Sequence, residues 1–428
     1  MSEVKNILVL PAGTEIALEI NNALKYSKFV KLFGGTSTPC HAEFVFENCI
    51  EDIPYPDSPD FAAKVNEAVD KYHIDYIYPA HDSALLKLTE IQSELHAAVV
   101  TSALETVRIT RSKNKTYEYL AGASYLPKTF SEPDEVESYP VFIKPAVGQG
   151  SEGARKIVSR QQLEEALSDG TEYAICEYLP GEEFTVDCFT DRHGALRVAS
   201  ARTRSRIRAG ISVRSRKLPC SEQIEKIAED INRRFSFNGA WFFQLKENAA
   251  GEYRLMEIAP RIAGTMSVTR NAGINMPMLT LFNMWGYDVD IISNDTEILL
   301  DRAFISRFKT DIEYDNVYVD FDDTVVVNGR VNGFLMMYLY QARDRGKHLY
   351  LLTKHAKDID ESMKKYAISP ELFEEIIHIP PEGDKTQYIT PRSVFIDDSF
   401  AERKRVADRC GAAVFDLDMI ESLLDWRV

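Results

Sequence analysis

Cysteine is sparse in this 428-residue chain, and its six copies form no pattern. Cys40, Cys49, Cys176, Cys188, Cys220 and Cys410 are scattered without a C-x-x-C spacing. That argues against a disulfide framework or a zinc site and makes a reducing cytoplasm the expected compartment. Basic residues are in deficit as well: 50 Lys and Arg stand against 66 Asp and Glu, a net charge of −16. Such a balance argues against general nucleic-acid binding, which needs a basic surface. No apolar run approaches the ~20 residues that cross a bilayer, so no membrane partner is expected. The opening MSEVKNILVL has one lysine and runs straight into Pro11-Ala12-Gly13, which reads as a strand and its turn, not a signal peptide. No G-x-G-x-x-G follows that strand, leaving a dinucleotide site with little support. Internal repeats and low-complexity segments are absent too.

What is present is the composition of a folded protein, 45% hydrophobic and 27% charged, in a chain long enough for two to four domains. Ile7 to Leu10 predicts a strand, followed by Gly13 and a helical pattern through Lys25; Asp75 to Pro79 predicts another, followed by Ala80-His81-Asp82 and a helix. This alternation implies a parallel, doubly wound, Rossmann-like α/β domain over residues 1–101, with the Pro54–Pro59 cluster as a loop. Residues 102–310 change to short strands with glycine turns and interspersed helices, an α+β pattern. Asp311 to Asp315 reads as a polar joint, and a second α/β alternation fills 311–428.

The segment from Pro140 to Gly153 is an apolar strand carrying Lys144, then a loop with Gly148, Gly150, Ser151 and Gly153. An unpaired ammonium in such a strand is costly, and a phosphate would resolve the cost. The glycines let backbone N–H groups approach phosphate oxygens, although a glycine-rich hairpin with a snorkelling lysine has the same appearance. Tyr173 to Asp187 predicts two strands around a Pro-Gly turn, with Glu177 ending the first. Two later apolar strands carry Gln244 and Glu257, buried oxygens that call for a donor or a cation such as Mg²⁺. Arg202, Arg204, Arg206 and Arg208 alternate. In one strand all four would share a face, either a solvated edge or a face toward an anionic substrate or triphosphate.

Taken in order over about two hundred residues, these pieces resemble the ATP-grasp superfamily, and most closely its carbamoyl-phosphate-synthase-like and carboxylate–amine ligase branch. The resemblance implies a pre-ATP-grasp domain followed by the ATP-grasp fold. It also implies ATP and Mg²⁺ (or Mn²⁺) as cofactors. By the same likeness Lys115 and Lys144 contact the nucleotide, and the loop with Gly148, Gly150, Ser151 and Gly153 covers the phosphates. Glu177 and the Leu179 backbone meet adenine, and Glu183 meets the ribose. Gln244 and Glu257 are the implied metal ligands, and Arg261 steadies an acyl phosphate. One departure stands out: the family reads Glu-x-Asn-Pro-Arg, and Ala259 replaces the asparagine, removing an expected ligand. The implied reaction activates a carboxylate as an acyl phosphate for attack by an amine. Two alternatives stay open: carboxylate or carbamate phosphorylation without amide formation, and a nucleotide-binding sensor with an impaired ligase site.

Near the C-terminus, Asn316 to Val325 is an apolar strand ending in Asp320, Asp322 and Asp323. Clustered carboxylates repel unless a divalent cation sits between them. Leu349 to Thr353 predicts a strand ending in a hydroxyl, Lys385 follows a turn, and Ser393 to Ser399 predicts a strand ending in Asp397-Asp398. Parallel strands bring such ends into one crevice. This order resembles the haloacid-dehalogenase (HAD-like) phosphatase superfamily. The likeness implies Asp320 as nucleophile, Asp322 as general acid/base, and Thr353 and Lys385 as phosphoryl holders. Asp397 and Asp398, with Asp320 and Asp322, are the implied Mg²⁺ site. The expected partners are a small-molecule carboxylate and amine for the ligase part and a phosphomonoester for the C-terminal part, with a homodimer as the assembly left open.

Overall fold

The computed structural model describes residues 4–150 and 152–427. The chain divides into two compact units, residues 1–304 and 305–428. The break falls six residues before the expected 310/311 joint, inside a stretch, 302–314, that carries no helix or strand. Ile312 and Tyr314 already pack on the core of the second unit.

The first unit opens with a five-stranded, all-parallel sheet. Lys5–Leu10 lies at its centre, flanked by Val30–Gly35 and Asn48–Ile50 on one side and by Tyr76–Pro79 and Ala98–Val99 on the other. The central strand is a continuous Ile-Leu-Val-Leu run because both its faces are covered, as a parallel sheet requires. The helix Glu15–Leu24 starts on Thr14, whose hydroxyl accepts from Ala17 N at 3.1 Å. The helix Asp82–Glu90 starts on His81 at the carboxyl end of Tyr76–Pro79, so Thr14 and Asp82 share one rim of the sheet.

Two antiparallel four-stranded sheets follow. One orders Thr129–Phe130, Tyr173–Glu177, Val141–Pro145 and Arg155–Ile157; the other orders Leu196–Thr203, Glu183–Thr190, Gly239–Glu247 and Tyr253–Ala259. Lys144 on the first donates to the Met256 carbonyl on the second at 3.0 Å, tying the two sheets together. The helix Glu222–Arg234 buries Ile224, Ile227, Ala228 and Ile231 against the outer face of the second sheet, leaving its inner face for the site.

The alternating arginines do not share a strand face. Leu196–Thr203 ends between Arg202 and Arg204, and Arg206–Arg208 belongs to a separate hairpin with Ile211–Arg216 and Leu299–Asp301. Arg202 is buried, while Arg206 is exposed and paired with Asp301 at 2.8 Å. A period-two pattern fixes a face only while one strand continues, and this one breaks.

The second unit is another five-stranded parallel sheet, ordered Glu375–His378, His348–Thr353, Asn316–Val319, Ser393–Ile396 and Ala413–Phe415. Val319 is in register with Ile396, so Asp320 and Asp397 emerge side by side from the ends of adjacent strands. Thr353 ends the strand on the other side of Asn316–Val319. Among the described residues, no helix in the chain is long and apolar enough to cross a membrane.

Candidate functional site

The inner face of the second antiparallel sheet floors a cavity of about 290 Å³. Its floor is a row of polar side chains in register across four strands: Arg202 opposite Thr185, Thr185 opposite Gln244, and Gln244 opposite Glu257. Gln244 and Glu257 thus meet as a cross-strand pair, as two converging ligands would. Ala259 lines the same cavity, two residues beyond Glu257, so its methyl stands where a further ligand would face the site. The lysine that enters here is Lys113, which donates to the Pro145 carbonyl at 3.2 Å. Burial lowers the pKa of its ammonium, and the Glu257 carboxylate partly offsets that effect. Lys115 instead lines a separate pocket beside Pro11, Pro54 and Lys87. Both lysines sit on the helix Lys113–Tyr119, where residues two apart do not share a face.

Beside the cavity is a slot of about 40 Å³ lined by Lys144, Cys176, Glu177, Leu179, Lys246 and Met256. The buried Lys144 ammonium is not unpaired: it donates to the Tyr117 hydroxyl at 2.7 Å as well as to the Met256 carbonyl. Burial pushes the Tyr117 hydroxyl well above its usual value, so it stays protonated. Glu177 lies at the slot, where its carboxylate accepts from Lys128 N at 2.9 Å. Glu183 is held by Arg204 at 2.6 Å and Lys246 at 3.6 Å.

Gly148 and Gly150 line the cavity, while Gly153 packs on Pro145; Ser151 lies outside the described residues. Gly150 meets Gly210 of the arginine hairpin, and both have positive φ, 61° and 73°. A Cβ on Gly210 would sit 2.0 Å from the Gly150 carbonyl carbon. A side chain at position 210 would not fit, and this approach sets the loop against the hairpin turn where both line the cavity.

Arg261 reaches the cavity but is clamped by Asp82, whose two oxygens accept from Nε and Nη2 at 2.7 Å each. Burial alone would raise the Asp82 carboxyl; the Arg261 guanidinium overrides it and holds the value down to about 2. Arg202 is likewise bidentate to the buried Asp187, at 2.9 and 3.0 Å. Arg202 Nη1, Thr185 Oγ1 and Arg302 Nη1 are buried without a hydrogen-bond partner, and all three residues line the cavity. In a chain of net charge −16, this concentration of donors without acceptors and guanidinium groups suits an oxyanion such as a carboxylate or phosphate. The Gln244–Glu257 oxygens suit Mg²⁺. Sequence reasoning missed Lys113, Tyr117, Thr185 and Arg302, whose roles depend on pairing across the fold. Asp82 was visible only as the residue that ends a strand.

In the second unit the ammonium of Lys385 lies 2.7 Å from Asp320 and 2.6 Å from Asp397. Burial pushes the Asp320 carboxyl up to about 6, Lys385 opposes that and Asp397 adds to it; the Thr353 hydroxyl bonds to the same carboxyl. Oxygens of Asp320, Asp397 and Asp398 lie within 4.8 Å of one another, a set that fits a divalent cation. The Asp322 carboxylate is not in that set: it turns to His355 Nδ1 at 2.8 Å, and His355 Nε2 is 2.8 Å from Ser362 Oγ. His355, absent from the sequence expectations, is therefore the partner of Asp322.

Residues 171–312 match the model of a family described as ATP-grasp in the biosynthetic pathway with Ter operon. No curated protein matches the chain by sequence. Among solved structures, the chain is similar to biotin carboxylase of Campylobacter jejuni, in its β,γ-ATP complex, at 17% identity and TM-score 0.57, covering 68% of this chain and 72% of that one. It is similar to N5-carboxyaminoimidazole synthetase of Staphylococcus aureus at 14% identity and TM-score 0.55, covering 68% and 79%. L-amino acid ligase of Bacillus licheniformis matches at 17% identity and TM-score 0.52, covering 66% and 74%. The chain carries a mixed α/β fold of the ATP-grasp kind.

Proposed function

We propose that residues 1–304 form an ATP-dependent ligase that phosphorylates a carboxylate and passes the acyl group to an amine. The carrying observation is the cavity in which Lys113, the Gln244–Glu257 pair and Arg261 converge beside the Lys144 slot. A carboxylate has no good leaving group; transfer of the γ-phosphoryl supplies one, and the amine then displaces phosphate. Mg²⁺, which Gln244 and Glu257 would hold, supplies neutralisation of phosphoryl charge. Lys113 and Lys144 hold phosphate oxygens, the Gly148–Gly150 loop excludes water, and Arg261, fixed by Asp82, faces the developing acyl oxygen. Neighbours named as carboxylase, synthetase and ligase support this reading. ADP release measured over carboxylates, with and without amines, tests it. Release with a carboxylate alone at full rate would favour the kinase alternative. Nucleotide binding without release under any pair would favour the sensor.

Residues 305–428 are proposed as a HAD-like phosphatase on the Asp320–Lys385–Asp397 arrangement. An Asp320 oxygen attacks phosphorus, the P–O bond to the leaving alcohol breaks, and Asp322 gives that oxygen its proton; water then cleaves the phosphoaspartate. Lys385 and Thr353 offset the repulsion between carboxylate and phosphate. A divalent cation at Asp320, Asp397 and Asp398 would supply further neutralisation. Hydrolysis of a generic phosphomonoester with added Mg²⁺ is the test, and inactivity across a broad panel would reduce the unit to a structural part.

A further inference from the structure

We infer that the end of the cavity farthest from the Lys144 slot is an oxyanion subsite, so that the ligase's substrates carry a carboxylate or phosphate besides the carboxylate that ATP activates. The inference rests on the ligase reading and deepens it.

Three residues that line this cavity carry a buried donor without an acceptor. Thr185 is fully buried and Arg202 nearly so, and neither Thr185 Oγ1 nor Arg202 Nη1 has a partner. Arg202 spends Nε and Nη2 on Asp187, whose Oδ2 also accepts from Thr269 at 2.8 Å. Its Nη1 is left without an acceptor on a residue that lines the cavity. Arg302 Nη1, also buried and unpaired, lies within the electrostatic reach of Arg202. Two guanidinium N–H groups and a hydroxyl without acceptors, on residues lining one cavity, suit an anion that binds them together. The acids facing Arg302 are Glu15 and Glu19, and Glu19 is already engaged by Arg270 at 2.7 and 3.1 Å.

The place is wrong for the triphosphate. Lys113 and Lys144 stand at the Glu257 end of the polar row, where Lys113 feels both groups. Arg202 is the other end, two strands from Gln244, or about 10 Å. A triphosphate held by Lys113 and Lys144 leaves that end to the substrate. A site of buried unpaired donors also discriminates strongly, because a ligand lacking the anion leaves those donors unpaired.

The test uses the full chain with Mg²⁺ and a non-hydrolysable ATP analogue, in calorimetric titrations with three kinds of probe. These are α,ω-dicarboxylates from malonate to adipate, phosphonocarboxylates of the same lengths, and butyrate as monocarboxylate. A dianionic probe should bind at least about tenfold more tightly than butyrate, and whichever series wins identifies the anion as carboxylate or phosphate. Thr185→Val and Arg302→Gln should each weaken that probe by about tenfold while changing analogue affinity less than about twofold. Thr185→Val should melt no lower than the parent without ligand, since its hydroxyl has no partner to lose. If the analogue binds but no dianion outbinds butyrate, or both variants lose analogue affinity in step, the subsite is overturned and the ligase reading stands. If the analogue does not bind the parent protein, the ligase reading fails and takes the subsite with it.

Discussion

Asp82 and Arg261 pair at 2.7 Å in both arms, with both side chains largely shielded from solvent. Removing one partner of such a pair strands the other charge. Asp82→Asn should therefore cost about 3–5 kcal/mol in urea unfolding at neutral pH. The sign of its pH dependence follows from a folded value of about 2 against an ordinary 3.8. A depressed carboxyl stabilises the fold above its ordinary value, and the gain is lost as pH falls through the folded value. That component is worth about 2 kcal/mol. The gap between parent and Asp82→Asn should be constant above pH 4 and shrink below it; a gap unchanged down to pH 3 would contradict the pairing. In the second unit, Lys385 is the counter-charge to both Asp320 and Asp397. Lys385→Met should remove nearly all phosphomonoester turnover and destabilise the unit by about 3–5 kcal/mol. Added Mg²⁺ should return part of the stability, because a cation would then offset the two carboxylates; the melting temperature with and without Mg²⁺ is the readout.

Glycine meets glycine where the Gly148–Gly150 loop touches the turn between Arg206–Arg208 and Ile211–Arg216. Gly210→Ala would place a methyl 2.0 Å from the Gly150 carbonyl carbon and strain a φ of 73°. The loop should lift, raising KM for ATP about tenfold with a small change in melting temperature. Faster proteolysis at residues 148–153 would report the lifting directly, and an unchanged KM would mean the contact does not shape the site. This contact was not legible in the sequence, which showed glycines but not which of them touch. Strands and polar residues within them were legible: Lys144, Gln244, Glu257 and Asp320 all stand out as charge or oxygen in apolar runs, and each reaches a cavity or cluster. The errors came where phase or continuity mattered. Lys113 and Lys115 differ only in which side of one helix turn they occupy, and the arginine run looked like one strand because nothing local marks its break after Thr203. Pairings such as Asp82–Arg261 join residues far apart in sequence and leave no local trace.

At the scale of the whole molecule, the two compact units have separate cores, so residues 1–304 and 305–428 should fold as separate fragments, each with its own cooperative transition. Asp320→Asn, whose amide cannot form a phosphoaspartate, should abolish phosphatase turnover in the full chain and leave ATP-dependent turnover within about twofold. Coupled loss of both activities would show that the units do not work independently. Activation of a carboxylate by ATP in the first unit can be trapped chemically. The full chain, incubated with ATP, Mg²⁺ and a carboxylate panel enriched in dianionic members, is challenged with hydroxylamine, which converts an acyl phosphate to a hydroxamate. The account predicts carboxylate-dependent hydroxamate in step with ADP release, abolished by Glu257→Ala and by Lys144→Ala and unaffected by Asp320→Asn. ADP release that never yields hydroxamate, or that survives both ligase-site substitutions, would contradict it.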